Sequence, residues 1–172
     1  MKPSERNNKK MVLLIFHYDE LIYDIISIAS IHADALEEAT DHIKHIIQDI
    51  NEGENRYRTM RYINLAYQIC VNMLHQYTHA DVSDFSTLDN TAGTPDKNTM
   101  RLLVPEHFDK GQVALLKNLI HDYIVWYTYI EWLRLILPDA VSVIANKLAE
   151  LEIRIKKAMD SSGKVGRIKM FP

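Results

Sequence analysis

Apolar residues recur every three to four positions through much of the chain, and that period predicts helices. With successive residues set about 100° apart, Leu14, Leu21, Ile25, Ile28, Ala35, Ala39, Ile43, Ile46 and Ile50 share one side of a helical wheel. Glu20, Asp24, Asp34, Glu38, Asp41, His45 and Asp49 share the other. The pattern predicts an amphipathic surface helix from about residue 11. Ile31 falls on the polar side, and Asp34 with Glu37 makes a D-x-x-E pair of the capping-box kind, so a break into two helices is expected near 31–34. "NEGEN" (51–55) supplies a turn. From about Tyr57 the series Ile63, Ala66, Tyr67, Cys70, Met73, Leu74 and Tyr77 keeps the helical rhythm.

From Ala80 to Thr99 the chain is rich in Ser, Thr, Asp, Asn and Gly, which describes a loop. "RLLVP" (101–105) is expected to lie extended, because Pro105 disfavours helical geometry in the residue before it. Helicity resumes from about Phe108 to Leu137. Pro138 ends that helix, and Pro138 or Asp139 opens a last one to about Met159, closed by "SSGKVG". Only five glycines and five prolines occur, too few for a chain of many turns. The expected fold is all-α: an antiparallel bundle of four to five helices with one long loop (about 80–107). Residues 1–172 form a single helical domain in this reading, with 1–10 and 161–172 as flexible basic tails.

Composition narrows the classes. At 172 residues with 47% apolar content the chain can bury a proper core. A net charge of −3 supplies no basic field to draw in nucleic acid. The basic tails, with Lys2, Arg6, Lys9 and Lys10 at one end and Lys164, Arg167 and Lys169 at the other, read as solubilising ends. "MVLLIF" (11–16) is too short for the apolar region of a signal peptide and lacks a small-residue cleavage site after it. "LIHDYIVWYTYIEWLRLIL" (119–137) is long enough to span a membrane, but Asp122, Glu131 and Arg134 make it costly in hydrocarbon. One cysteine, Cys70, forbids an internal disulfide. A cytoplasmic protein is expected.

Candidate chemistry is sparse. "ATDHIKHIIQD" (39–49) holds two histidines and two aspartates at spacings of three and four. On the wheel Glu38, Asp41, His42, His45 and Asp49 occupy the solvent arc, where i, i+4 charge pairs account for them. His75 and His79 in "HQYTH" are the better metal candidates. Their i, i+4 spacing lets two imidazoles reach one Zn²⁺, and Asp81 and Asp84 follow. Against this, no glutamate stands between them as in H-E-x-x-H, and histidines suit a helix's last turn through its dipole. His32 lies mid-arc if the first helix is continuous, as a core histidine satisfied by a hydrogen bond, and is a turn residue if the helix breaks. Asp81, Asp84, Asp89 and Asp96 lack the alternation of a Ca²⁺ loop. No G-x-S-x-G, glycine-rich phosphate loop or activated cysteine is present, so the sequence leans away from an enzyme and calls for no cofactor.

The most informative stretch is "YIVWYTYIEWLRLIL", where Trp126, Ile130, Leu133 and Leu137 mark one face and Val125, Tyr129, Trp132 and Ile136 nearly the opposite one. A helix apolar nearly all round is either central in its own bundle or uses its second face against another subunit. Tyr123, Trp126, Tyr129 and Trp132 are therefore the expected interaction residues, with the 80–99 loop as a second surface. The partners expected are further copies of the chain or another protein, with no membrane, and with nucleic acid disfavoured.

"DELIYDI", "NRYRTMRYINLAYQICVNML", "VPEHFDKGQVALLKNLIHDYIVWYTYIEWL", "PDAVSVIANKLAELEIRIKKAM" and the terminal "GRIKMFP" together resemble a group of small helical proteins of gut Bacteroides-type bacteria found in prophage-like gene neighbourhoods. The resemblance covers most of the chain and carries packing patterns but no catalytic residues. It implies a small helical protein that assists assembly of a phage-like particle. The functional expectation is thus a non-enzymatic protein acting through protein contact or self-assembly, with a metal-binding bundle or metal-dependent enzyme using His75 and His79 as the alternative.

Overall fold

The computed structural model describes residues 9–37, 39–78, 96–106 and 108–160. In chain order they form strand β1 (Lys9–His17), helices α1 (Tyr18–Ala35) and α2 (Asp41–Gln48), a single 3₁₀ turn (Asp49–Asn51) and helix α3 (Asn55–Met73). Strand β2 (Lys97–Pro105) and helices α4 (Lys110–Ile136), α5 (Pro138–Ile144) and α6 (Asn146–Asp160) follow. The chain is thus mostly helical but not all-α, since β1 and β2 pair antiparallel along their whole length.

That ribbon corrects the expectation of a helix from residue 11 and of a loop through 97–105. "MVLLIF" is an unbroken apolar run, which period alone does not assign to helix or strand. Leu14 satisfies the core either way. What decides is the partner. Val12 stands opposite Leu102 and Leu14 opposite Met100, so one ribbon face puts Leu14, Phe16, Met100, Leu102 and Val104 into the core. "RLLVP" is extended as expected, with Pro105 at the strand's last position.

The first amphipathic run does divide into two helices, but at 36–40 rather than 31–34. α1 continues through His32 to Ala35. The cap that starts the next helix is Thr40, whose Oγ1 accepts from the Ile43 N–H at 3.4 Å, and not the Asp34–Glu37 pair. Gly53 sits at φ +50°, a left-handed geometry that glycine adopts without strain, and makes the turn into α3. α4 opens on a capping box in which Asp109 Oδ1 accepts from the Gln112 N–H at 2.8 Å and Gln112 Oε1 accepts from the Asp109 N–H at 3.0 Å. Pro138 occupies the first turn of α5, and the expected last helix divides at Ala145 into α5 and α6.

α4 is the axis of the molecule. It touches α1, α2, α3, α5, α6 and β1, which is why its sequence is apolar nearly all round. Buried residues from both strands and every helix join one core. Polar ties hold the ribbon to the helices. Tyr18 donates to Asn64 Oδ1 on α3, and Asn98 Nδ2 on β2 donates to the Tyr18 hydroxyl at 3.2 Å. Tyr67 on α3 donates to the Thr99 carbonyl at 2.7 Å. At the other end of α3, Thr59 Oγ1 donates to the Ile50 carbonyl. Trp132 Nε1 donates to the Ile47 carbonyl at 3.2 Å, so the C-terminal end of α2 is closed by side chains from two other helices.

Candidate functional site

The α4 aromatics divide by position. Tyr123, Tyr129 and Trp132 are buried within the chain, each bound to a neighbouring element. Tyr123 donates to Glu152 Oε1 on α6 at 3.2 Å, Tyr129 meets His32 on α1, and Trp132 holds the end of α2. Trp126 and its neighbour Tyr127 are half exposed. Most of the second apolar face of α4 is therefore spent inside the monomer, and the apolar surface the helix leaves includes these two rings, with Leu115 and Leu135 exposed. The 80–99 surface lies outside the described residues except for 96–99, of which 97–99 belong to β2.

The histidine clusters separate in the same way. Asp41, His42, His45 and Asp49 are exposed on α2 and its following turn, the solvent face the wheel assigns them. His75 is exposed just past the end of α3, its Nδ1 3.0 Å from the Asn72 carbonyl. His79, Asp81, Asp84 and Asp89 lie outside the described residues. Among the described residues no three histidine, cysteine or carboxylate side chains gather as a metal-ligand set. The Cys70 thiol is buried, and burial pushes its pKa far above the usual thiol range, which makes it a packing residue.

His32 is the histidine the fold uses. Its Nδ1 lies 2.5 Å from the Tyr129 hydroxyl, and the two rings meet edge-on with centroids 5.7 Å apart. Burial lowers the imidazole's pKa and raises that of the Tyr129 phenol, so both rings are neutral at neutral pH. This is the satisfied histidine of the continuous-helix reading. The pair sits against a cleft of about 340 Å³ between α1, α4 and α5, lined by Ile28, Ile31, His32, Ala35, Trp126, Tyr129 and Ile144. No polar atom faces into it, because the two that stand nearest are bonded to each other.

A second polar pair joins α1 to α4, where His121 Nε2 lies 2.7 Å from Asp24 Oδ2. Asp19, Glu20 and Tyr23 line the shallow hollow beside it. Asp24 is half exposed, and the pair reads as an interhelical tie of modest strength.

The surface that the sequence reading overlooked is the outer face of the ribbon. Met11 is 57% exposed and Leu13 52%, with Ile15 and Leu103 half-buried beside them on the same face. A signal for it exists in the sequence. A strand with one solvated face alternates apolar and polar residues, whereas an unbroken apolar run belongs to strands covered on both faces. "MVLLIF" is such a run, yet the helices cover only one face. The edges differ as well. The outer edge of β2 receives Tyr77 and Thr78, through the Leu103 N–H to the Tyr77 carbonyl at 2.7 Å and a bridge from Thr78 to Leu102. Among the described residues nothing pairs along the outer edge of β1. No helix of the described residues is long and apolar enough to cross a membrane. Comparison with protein-family models, with curated proteins and with solved structures finds no match for this chain.

Proposed function

We propose that the chain is a non-enzymatic protein that works by protein contact, assembling with further copies of itself through strand β1. The observation that carries the proposal is an edge strand nine residues long, apolar on both faces over Met11–Phe16 and, among the described residues, covered on one face only and unpaired along its outer edge. Free strand edges of this kind template the addition of another strand. Lysines occupy only its first two positions, so the central residues lack the charges that usually guard such an edge.

Self-pairing suits the residue order. An antiparallel two-fold centred on Leu13 sets Met11 against Ile15 of the second copy and Leu13 against its own equivalent. The outer face then continues apolar across the junction and the two ribbons join as one four-stranded sheet. A role as a structural or accessory component of a larger particle accords with the resemblance of the helical segments to proteins of prophage-like elements. Light scattering on the purified chain across a concentration series tests the proposal. Twice the single-chain mass is expected for the native sequence, and the single-chain mass for Leu13→Lys, which adds a charge to the face without touching the core. A single-chain mass for the native protein up to millimolar concentration, or an unchanged multimer for Leu13→Lys, overturns it.

A further inference from the structure

The cleft between α1, α4 and α5 is independent of the ribbon. Its volume of about 340 Å³ lies at the small end of ligand pockets, which run roughly 300–1,000 Å³. A sugar, nucleotide or amino acid would leave its hydrogen-bonding groups unpaired against this all-carbon lining. An apolar body would not. Ile31, at 68% exposure, leaves the cleft's α1 side open to solvent, so an extended chain can lie in it without burying both ends.

At the lip the chemistry changes. Lys147 Nζ stands 5.9 Å from the centroid of the Trp126 ring, three positions beyond Ile144. None of the ion pairs among the described residues involves it. It stands at the second position of α6. An apolar trough with one cation at its rim complements an apolar chain ending in one negative charge. The geometry points to this cleft as a binding site for a medium-chain fatty-acid anion, the chain lying between Ile28, Ala35 and Ile144 against Trp126 and the carboxylate meeting Lys147.

The test uses the full chain with dodecanoate, dodecanol and dodecyltrimethylammonium, each kept below micelle-forming concentration, read by tryptophan fluorescence and by calorimetry. Saturable one-to-one binding of dodecanoate is expected, with the cationic amphiphile binding at least tenfold more weakly. Lys147→Gln weakens dodecanoate about tenfold and leaves dodecanol unchanged. Ala35→Leu narrows the trough from an exposed helix position and weakens both. Absence of saturable dodecanoate binding overturns the proposal, as does equal affinity for the anionic and cationic ligands. So does undiminished binding by Ala35→Leu with native circular dichroism. Should that variant fail to fold, Lys147→Gln at the lip carries the test, and an unchanged dodecanoate affinity there rejects the carboxylate contact. Sedimentation with phosphatidylglycerol vesicles in the absence of dodecanoate binding assigns the patch to a lipid surface and overturns the fatty-acid site.

Discussion

Removing the Tyr129 hydroxyl is the sharpest single perturbation the helical core offers. Tyr129→Phe keeps a ring that is fully buried and deletes only the oxygen that lies 2.5 Å from His32 Nδ1. A net intramolecular hydrogen bond contributes about 0.5–1.5 kcal/mol. Because His32 is only partly buried, its freed nitrogen is not fully shut off from water, so the low half of the 1–3 kcal/mol desolvation range applies. A loss of about 1 kcal/mol follows, or a fall in melting temperature of about 2–4 °C for a chain of this length. His32→Gln as the second arm of a double-mutant cycle isolates the pair, with a coupling of about 1 kcal/mol expected from chemical denaturation at pH 8. The same pair sets a pH dependence. Burial holds the folded imidazole below its ordinary pKa of 6.5, so as pH falls the unfolded chain takes up the proton first. Its contribution is complete above about pH 6.5 and declines below that, until the folded-state pKa is passed. The difference in stability between the native chain and His32→Gln should therefore shrink on acidification. A coupling within the roughly 0.3 kcal/mol scatter of additive sites, or parallel pH profiles for the two proteins, would refute the reasoning.

Three further expectations follow from the fold. Phe16→Ala, at a site with no exposure, costs about 3–5 kcal/mol by denaturant titration, whereas Leu13→Ala on the outer face of the same strand costs well under half as much. Asp109→Ala removes one half of the α4 capping box and lowers stability by about 1 kcal/mol, and Asp109→Asn recovers most of it. Cys70, buried and with its pKa pushed up, stays unreactive toward a thiol reagent until the chain unfolds, so at a fixed pH its labelling rate should rise with denaturant concentration.

The helices were legible because their evidence is local. Pro138 and Gly53 mark turns by backbone geometry alone, and α3 and α4 repeat their apolar residues often enough for the period to be unambiguous. The expected helix 108–137 differs from the observed Lys110–Ile136 by two residues or fewer at either end. The ribbon was not legible for the opposite reason. Six consecutive apolar residues carry no period, and what makes β1 a strand is β2, whose own residues 97–99 resemble a polar loop. The break after α1 was anticipated in kind but misplaced, because Thr40 offers a cap as good as Asp34 and the longer α1 keeps Ala33 buried. The His32–Tyr129 contact joins residues 97 positions apart. The sequence showed only its α1 half, a histidine on an apolar arc, while Tyr129 presented itself as one aromatic among several. The burial of Trp132 depends similarly on α2 folding back over α4.

Pairing the first strand with one that begins 80 positions after it ends also fixes an order of events. α1, α2 and α3 can form as the chain leaves the ribosome, but β1 has no partner until Pro105 has been made. Throughout that interval its apolar run is an open edge with nothing beside it, at the stage when unpaired strands are most apt to find wrong neighbours. The loop that must close is long, and closure has to precede any reward from the ribbon's hydrogen bonds. The ribbon is therefore expected to form late, and a fragment ending before residue 97 should be far less soluble than the whole chain.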